Sequence, residues 1–197
     1  MGLRERKRLA TRQALGIAAM RLAIQHGLEG VRVEDIADAV GVSPRTFNNY
    51  FGSKYEAITA LSVDRGEELG LVLRARPAAE PLWTAILGSV QEQYRFADTA
   101  PDPEWIRGVR LVTSSPALRG EHLKAQEQIR YAVGEAIAAR LGVSGADDMR
   151  PAIVASSVII AIDTAVQRWL DADPPVPLAG LIATAFDQLI TALGGLS

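Results

Sequence analysis

The chain has 197 residues, 48% hydrophobic and 22% charged, with a net charge of −2 and no cysteine. That composition suits a folded globular protein, and the missing cysteine excludes disulfides, thiolate nucleophiles and cysteine-based zinc sites. Two histidines, His26 and His122, are too few for most histidine metal sites, so no metal or cofactor is expected.

The opening segment MGLRERKRLATRQ sets Arg4, Arg6, Lys7, Arg8 and Arg12 against Glu5. It lacks the apolar centre of a signal peptide, and a cytoplasmic location is the simplest expectation. A first helix is predicted from Leu9 to Gln25, with Leu15, Ala18, Ala19 and Leu22 inward and Gly27 as its stop. Val33, Ile36, Ala37 and Val40 repeat at helical spacing and predict a second, short helix. Gly41 then suits a left-handed closing residue. Ser43 offers a capping hydroxyl, and Pro44 suits the first position of a third helix, running to about Tyr50. Two short helices joined by a tight turn make a helix-turn-helix, whose second member can enter the major groove.

Gly52 breaks the chain, and Ser53 can cap a long fourth helix through Ala57, Ile58, Leu61 and Val72. Further helices are predicted from Pro81 to Ala97, Pro103 to Thr113, Pro116 to Leu141, Asp147 to Leu170 and Leu178 to Leu193, separated by proline-rich turns. The fold class is all-α with about nine helices. A head at 1–54 and a helical body at 55–197 are the expected domains. The longest apolar run, Pro151 to Ile162, is too short to span a bilayer, so no membrane partner is expected. Charge is divided unevenly: residues 1–60 balance at +3 and residues 61–197 at −5. A basic module on an acidic body suits a nucleic-acid partner, although a basic end by itself can be a solvated tail.

On the third helix, Arg45, Thr46, Asn48 and Asn49 lie near the start and on the polar side, with Ser43 and Pro44 leading in. Arginine can pair two donors with guanine, and asparagine can do the same with adenine. Phe47 and Phe51, four apart, belong to the core. Lys54 opens the fourth helix, whose N-terminal amides favour an anion. The run from Pro151 to Ile162 is apolar nearly all round, as in a helix buried on every side. With the last helix it predicts a dimer face at Ile153, Ser157, Ile160, Leu178, Ile182, Phe186 and Leu189; an internal core pair is the alternative. Polar and aromatic residues interrupt the apolar body helices, among them Trp83, Tyr94, Phe96, Trp105, Arg110, His122, Gln126, Arg130, Tyr131, Asp163 and Gln167. A ligand can supply partners for such groups, as can ordinary packing.

The first sixty residues resemble the tetracycline-repressor (TetR) family. The matching positions are Ala18-Ala19, Gly27, Val33-Glu34-Asp35-Ile36-Ala37, Gly41-Val42-Ser43, Thr46-Phe47, Tyr50-Phe51 and Ser53-Lys54. The body is similar to the mycofactocin-regulator-like branch at Pro116-Ala117-Leu118-Arg119, His122-Leu123, Arg168-Trp169-Leu170 and Ala185-Phe186. The resemblance implies a homodimeric repressor released from a near-palindromic duplex operator by a small molecule, here acyl-CoA or fatty-acid-like. It implies phosphate contacts for Tyr50 and Lys54. Three positions depart from the pattern. Arg32 stands where a threonine often caps the second helix, leaving Asp35 to reach back to the helix start. Asn48 replaces a common tyrosine, and Ala23 a large aromatic. The implied effector contacts are Trp83, Phe96, Trp105, Arg110, His122, Gln126, Arg130 and Asp163. A DNA-binding protein without a small-molecule switch is the alternative. An enzyme is disfavoured, because there is no cysteine nucleophile, His26 lies at a helix end and His122 has no clear triad spacing.

Overall fold

A computed structural model describes residues 2–94, 103–172 and 176–194, with residues 193 and 194 described by their backbone alone. Among the described residues the fold has nine α-helices and no strand. They are α1 (Leu3–Gly30), α2 (Val33–Val40), α3 (Pro44–Asn48), α4 (Lys54–Ala75), α5 (Leu82–Tyr94), α6 (Pro103–Ser114), α7 (Arg119–Leu141), α8 (Arg150–Leu170) and α9 (Leu178–Gly194). A 3-10 turn at Pro116–Leu118 precedes α7, where a single continuous helix was expected. The first helix begins at Leu3, so the basic arm is itself helical. Gly27 breaks it as expected, at φ 72° and ψ 164°.

The chain forms two compact units, Met1–Asp64 with Asp102–Ala125, and Arg65–Pro101 with Gln126–Ser197. The first extends beyond a 1–54 head because its core recruits later residues. Leu15, Ala19, Ile36, Ala37, Phe47 and Phe51 pack there with Ala57 and Ile58 of α4 and with Val112 and Leu118. In this unit α1 packs on α2 and α6, and α2 packs on α3.

In the second unit α9 packs on α8 and α5. Gly66 lies so close to α7 that a Cβ there would fall 2.1 Å from Ile129 Cγ1. The loop after α4 is held by Arg140, which donates to the carbonyls of Arg76, Pro77 and Glu80.

The structure corrects two expectations about the last helices. Leu178, Ile182 and Phe186 are fully buried within one chain, so they are core residues and not a partner face. Conversely, α8 is not buried all round. Ala155, Val158, Ala165 and Trp169 face inward, while Ile153 and Ile160 stay 56% and 65% exposed. One chain covers only one side of this helix. By length and hydropathy alone α8 is also long enough to cross a membrane, because the apolar run continues past Asp163 to Leu170.

Candidate functional site

The helix-turn-helix follows from local chemistry. Gly41 closes α2 in the left-handed region, at φ 71° and ψ 35°. The turn is fixed by Gly41 N–H donating to the Asp38 carbonyl and Val42 N–H to that of Ala37, both at 3.0 Å. Ser43 Oγ accepts from Thr46 N–H at 3.1 Å and lies 2.9 Å from Thr46 Oγ1. Both Ser43 and Thr46 are thereby committed to starting α3. Phe47 and Phe51 are fully buried, with ring centroids 5.6 Å apart, and anchor the opposite side. The consequence is an outward surface of Pro44, Arg45, Asn48 and Asn49, all exposed. Tyr50 is half-buried against the core.

The supports around α3 are also polar. Arg12 pairs with Asp64 and lies 5.3 Å from the centroid of the Phe51 ring. It is therefore committed inside the head, unlike the exposed Arg4, Arg6, Lys7 and Arg8. Ser53 Oγ accepts from Glu56 N–H at 3.1 Å, and Glu56 Oε2 accepts from Gly52 N–H at 2.7 Å. This reciprocal capping starts α4. At α2 the capping hydroxyl is indeed missing: Arg32 is exposed and makes no side-chain cap. Asp35 does not reach back to the helix start either, although Glu34 and Asp35 still set negative charge there.

Lys54 has a role that the sequence did not disclose. Its Nζ donates to the carbonyl of Leu28 at 2.7 Å and of Val31 at 3.0 Å. The break at Gly27 leaves the following carbonyls without helical partners, and Lys54 supplies them. Two of its three donors thus hold the head together.

The expected effector residues are divided between the two units. Trp105, Arg110 and His122 belong to the first unit, and Trp83, Gln126, Arg130 and Asp163 to the second. Phe96 lies outside the described residues. His122 Nδ1 is buried without a hydrogen-bond partner among the described residues. Arg110 and Tyr131 are exposed. Arg130 is engaged by Glu127, at 3.0 Å from Nε, on an open helix face.

Gln126 and Asp163 do come together, as donor and acceptor between α7 and α8. Beside them is Tyr94, which interacts electrostatically with Asp163 and Arg65. Gln93 donates to the Arg65 carbonyl. Burial pushes the Tyr94 phenol up and the Arg65 guanidinium down from their ordinary values. Sequence reasoning missed Arg65 and Gln93. The available signal was that Ile58, Leu61, Arg65, Leu69 and Leu73 share helical spacing, so Arg65 interrupts an inward stripe.

A capped, exposed, polar helix on a helix-turn-helix head, followed by an α-helical body, defines a DNA-binding transcriptional regulator. The comparisons agree. The family model described as "Bacterial regulatory proteins, tetR family" matches residues 17–61, and that of the MftR C-terminal domain matches residues 80–194. The chain is 36% identical over 204 residues to the HTH-type transcriptional regulator TcmR of Streptomyces glaucescens, covering 98% of this chain and 86% of that one. It is 27% identical over 189 residues to MftR of Mycobacterium tuberculosis, whose name ties it to mycofactocin biosynthesis, with 92% and 90% covered. The solved SmeT–triclosan complex has a similar fold, with a TM-score of 0.62 at 16% identity over 93% of this chain and 91% of that one. The chain belongs to the TetR family of transcriptional regulators, with an MftR-type C-terminal domain.

Proposed function

We propose that the protein is a cytoplasmic homodimeric repressor that a small molecule releases from a near-palindromic operator. The observation that carries the DNA reading is the two-sided character of α3. Its apolar side is locked by Phe47 and Phe51, and its exposed side carries Arg45, Asn48 and Asn49. Arg45 and the two asparagines read base edges in the major groove. Ser43, Pro44 and Thr46 bring the backbone at the start of α3 to the duplex. Arg32, Tyr50 and the basic arm meet phosphates, which set register rather than sequence, while Lys54 holds the head together from inside. The head at 1–54 reads DNA, and the body at 55–197 dimerises and takes the effector.

The dimer reading is supported by the apolar outer side of α8, where Ile153, Ser157 and Ile160 share helical spacing; Leu189 on α9 is half-buried. A single helix-turn-helix reads only a few base pairs, so two-fold symmetry serves recognition as well. The effector reading draws on SmeT, whose structure is titled as a triclosan complex. An acyl-CoA or fatty-acid effector needs a cation for its anionic end, and Arg130 is committed to Glu127. The test is mass in solution together with operator titration. Two chains per duplex are expected, and Ile160→Glu should give a folded monomer with weakened operator affinity. A wild-type monomer at saturation on the operator would overturn the symmetric reading.

A further inference from the structure

Arg4, Arg8 and Arg12 recur at every fourth position of α1, so their side chains form one row along the helix. Arg4 and Arg8 are exposed. The Arg12 side chain is only 26% exposed and pairs with Asp64 of α4, itself 21% exposed. This pair closes one end of a helix crossing that lies within the first unit. One turn further along α1, a Cβ on Gly16 would lie 3.4 Å from the Ala57 carbonyl oxygen and 3.6 Å from the Ala60 side chain. At the other end, Lys54 of α4 holds the carbonyls of Leu28 and Val31. Helices α1 and α4 therefore run antiparallel, fastened by a charged group at each end. The Arg12 guanidinium also stands 5.3 Å from the centroid of the Phe51 ring, which is 5.6 Å from that of Phe47 on α3.

From this arrangement we propose that Asp64 is a specificity-determining residue: it holds Arg12 off the duplex phosphates and makes the same guanidinium a positioning group beneath α3. The inference rests on the reading of the arm and α3 as the DNA-contacting groups. Its physical basis is that phosphate contacts are blind to sequence. A third arginine of the row, free to meet phosphate, would raise affinity for every duplex alike and erode discrimination. Held by the Asp64 carboxylate and by the face of Phe51, the Arg12 guanidinium instead directs its charge-assisted bond inward. Phe51 and Phe47 form the buried side of the α3 region, so whatever seats Phe51 sets the pose of Arg45, Asn48 and Asn49 on the outer side. Asparagine at position 64 would keep the shape and remove the charge. Arg12 would then lie at the root of the arm without its anion, and the duplex would supply one.

The experiment uses full-length protein and two duplexes, the one that wild type enriches from genomic DNA and a scrambled duplex of the same length and composition. Affinity is measured across a salt series for wild type, Asp64→Asn, Arg12→Met and the double variant, with melting temperature as the folding control. On scrambled duplex, Asp64→Asn should steepen the log–log salt dependence by about 0.9 for each bound chain. At about 0.1 M salt that slope corresponds to roughly eightfold tighter non-specific binding per chain. Operator affinity should gain less, because α3 is less firmly seated, so discrimination narrows. Arg12→Met should keep the wild-type slope on both duplexes and weaken operator binding roughly two- to fivefold, the worth of one exposed cation–π contact. The double variant should match Arg12→Met in slope, because the added phosphate contact belongs to Arg12.

A slope unmoved by Asp64→Asn in a folded variant would overturn the inference, since the pair would then be structural alone. A flatter slope in Arg12→Met would overturn it as well, because Arg12 would already meet phosphate in the wild type. A double variant steeper than Arg12→Met would trace the effect to the Asp64 charge itself and would equally overturn it. Each of these results leaves the DNA reading standing, provided that Arg45→Ala loses discrimination between the same two duplexes. A wild type without preference between them would overturn the DNA reading, and this inference with it.

Discussion

Replacing Lys54 by alanine separates two accounts of a residue that family resemblance ties to phosphate. In the structure its ammonium group bonds two carbonyls left over by the break at Gly27, Leu28 at 2.7 Å and Val31 at 3.0 Å. Hydrogen bonds from a charged donor contribute about 1.5–3 kcal/mol each. The site is only half-buried, so water can replace part of what is lost, and a total of about 2 kcal/mol is the reasonable figure. For a chain of this size, that corresponds to a fall in melting temperature of roughly 4–8 °C. The DNA assay supplies the second half. A lost phosphate contact flattens the log–log salt dependence of binding by about 0.9. A lost internal clamp lowers affinity through a displaced head and leaves the slope nearly unchanged. Lys54→Ala should therefore melt early, bind operator and scrambled duplex more weakly alike, and keep the wild-type slope. An unchanged melting temperature with a slope lower by one contact would refute the clamp.

Arg45→Ala and Asn49→Ala should each cost about 1–3 kcal/mol of discrimination between operator and scrambled duplex, read by competition binding, with melting temperature unchanged because both side chains are exposed. Deleting the chain before Thr11 should weaken binding to all duplexes alike and flatten the salt slope by about 0.9 for each lost phosphate contact; an unaltered slope would make the arm a solvated tail. Gly66→Ala should destabilise the body by about 1–3 kcal/mol in chemical denaturation, the usual range for overpacking, because its Cβ would overlap Ile129.

Legibility from sequence tracked how local the cause was. Helix α2 was readable to the residue, since its apolar spacing, Gly41 and Ser43 are neighbours in the chain. The Ser53 cap on α4 was readable for the same reason. What depended on distant partners was not. Lys54 bonds carbonyls more than twenty positions back, and Arg12 is taken out of the basic arm by Asp64. The dimer face was half misread. Leu178, Ile182 and Phe186 have a spacing that fits a partner and a core equally well, and only the packing of α9 on α8 and α5 decides for the core. For the polar pair between α7 and α8, Gln126 and Asp163 were visible as polar breaks in apolar helices. Arg65 was not singled out, although it shares helical spacing with Ile58, Leu61, Leu69 and Leu73.

The central claim is that α3 reads DNA sequence as one half of a symmetric pair. Footprinting on the duplex that the wild-type protein enriches from genomic DNA tests it most directly. The account predicts two protected half-sites related by a two-fold axis, centred one helical turn, about 34–36 Å, or a multiple of it apart, with protection at base edges lost in Arg45→Ala. Enrichment without any shared sequence, or a single protected half-site at saturation, would contradict it.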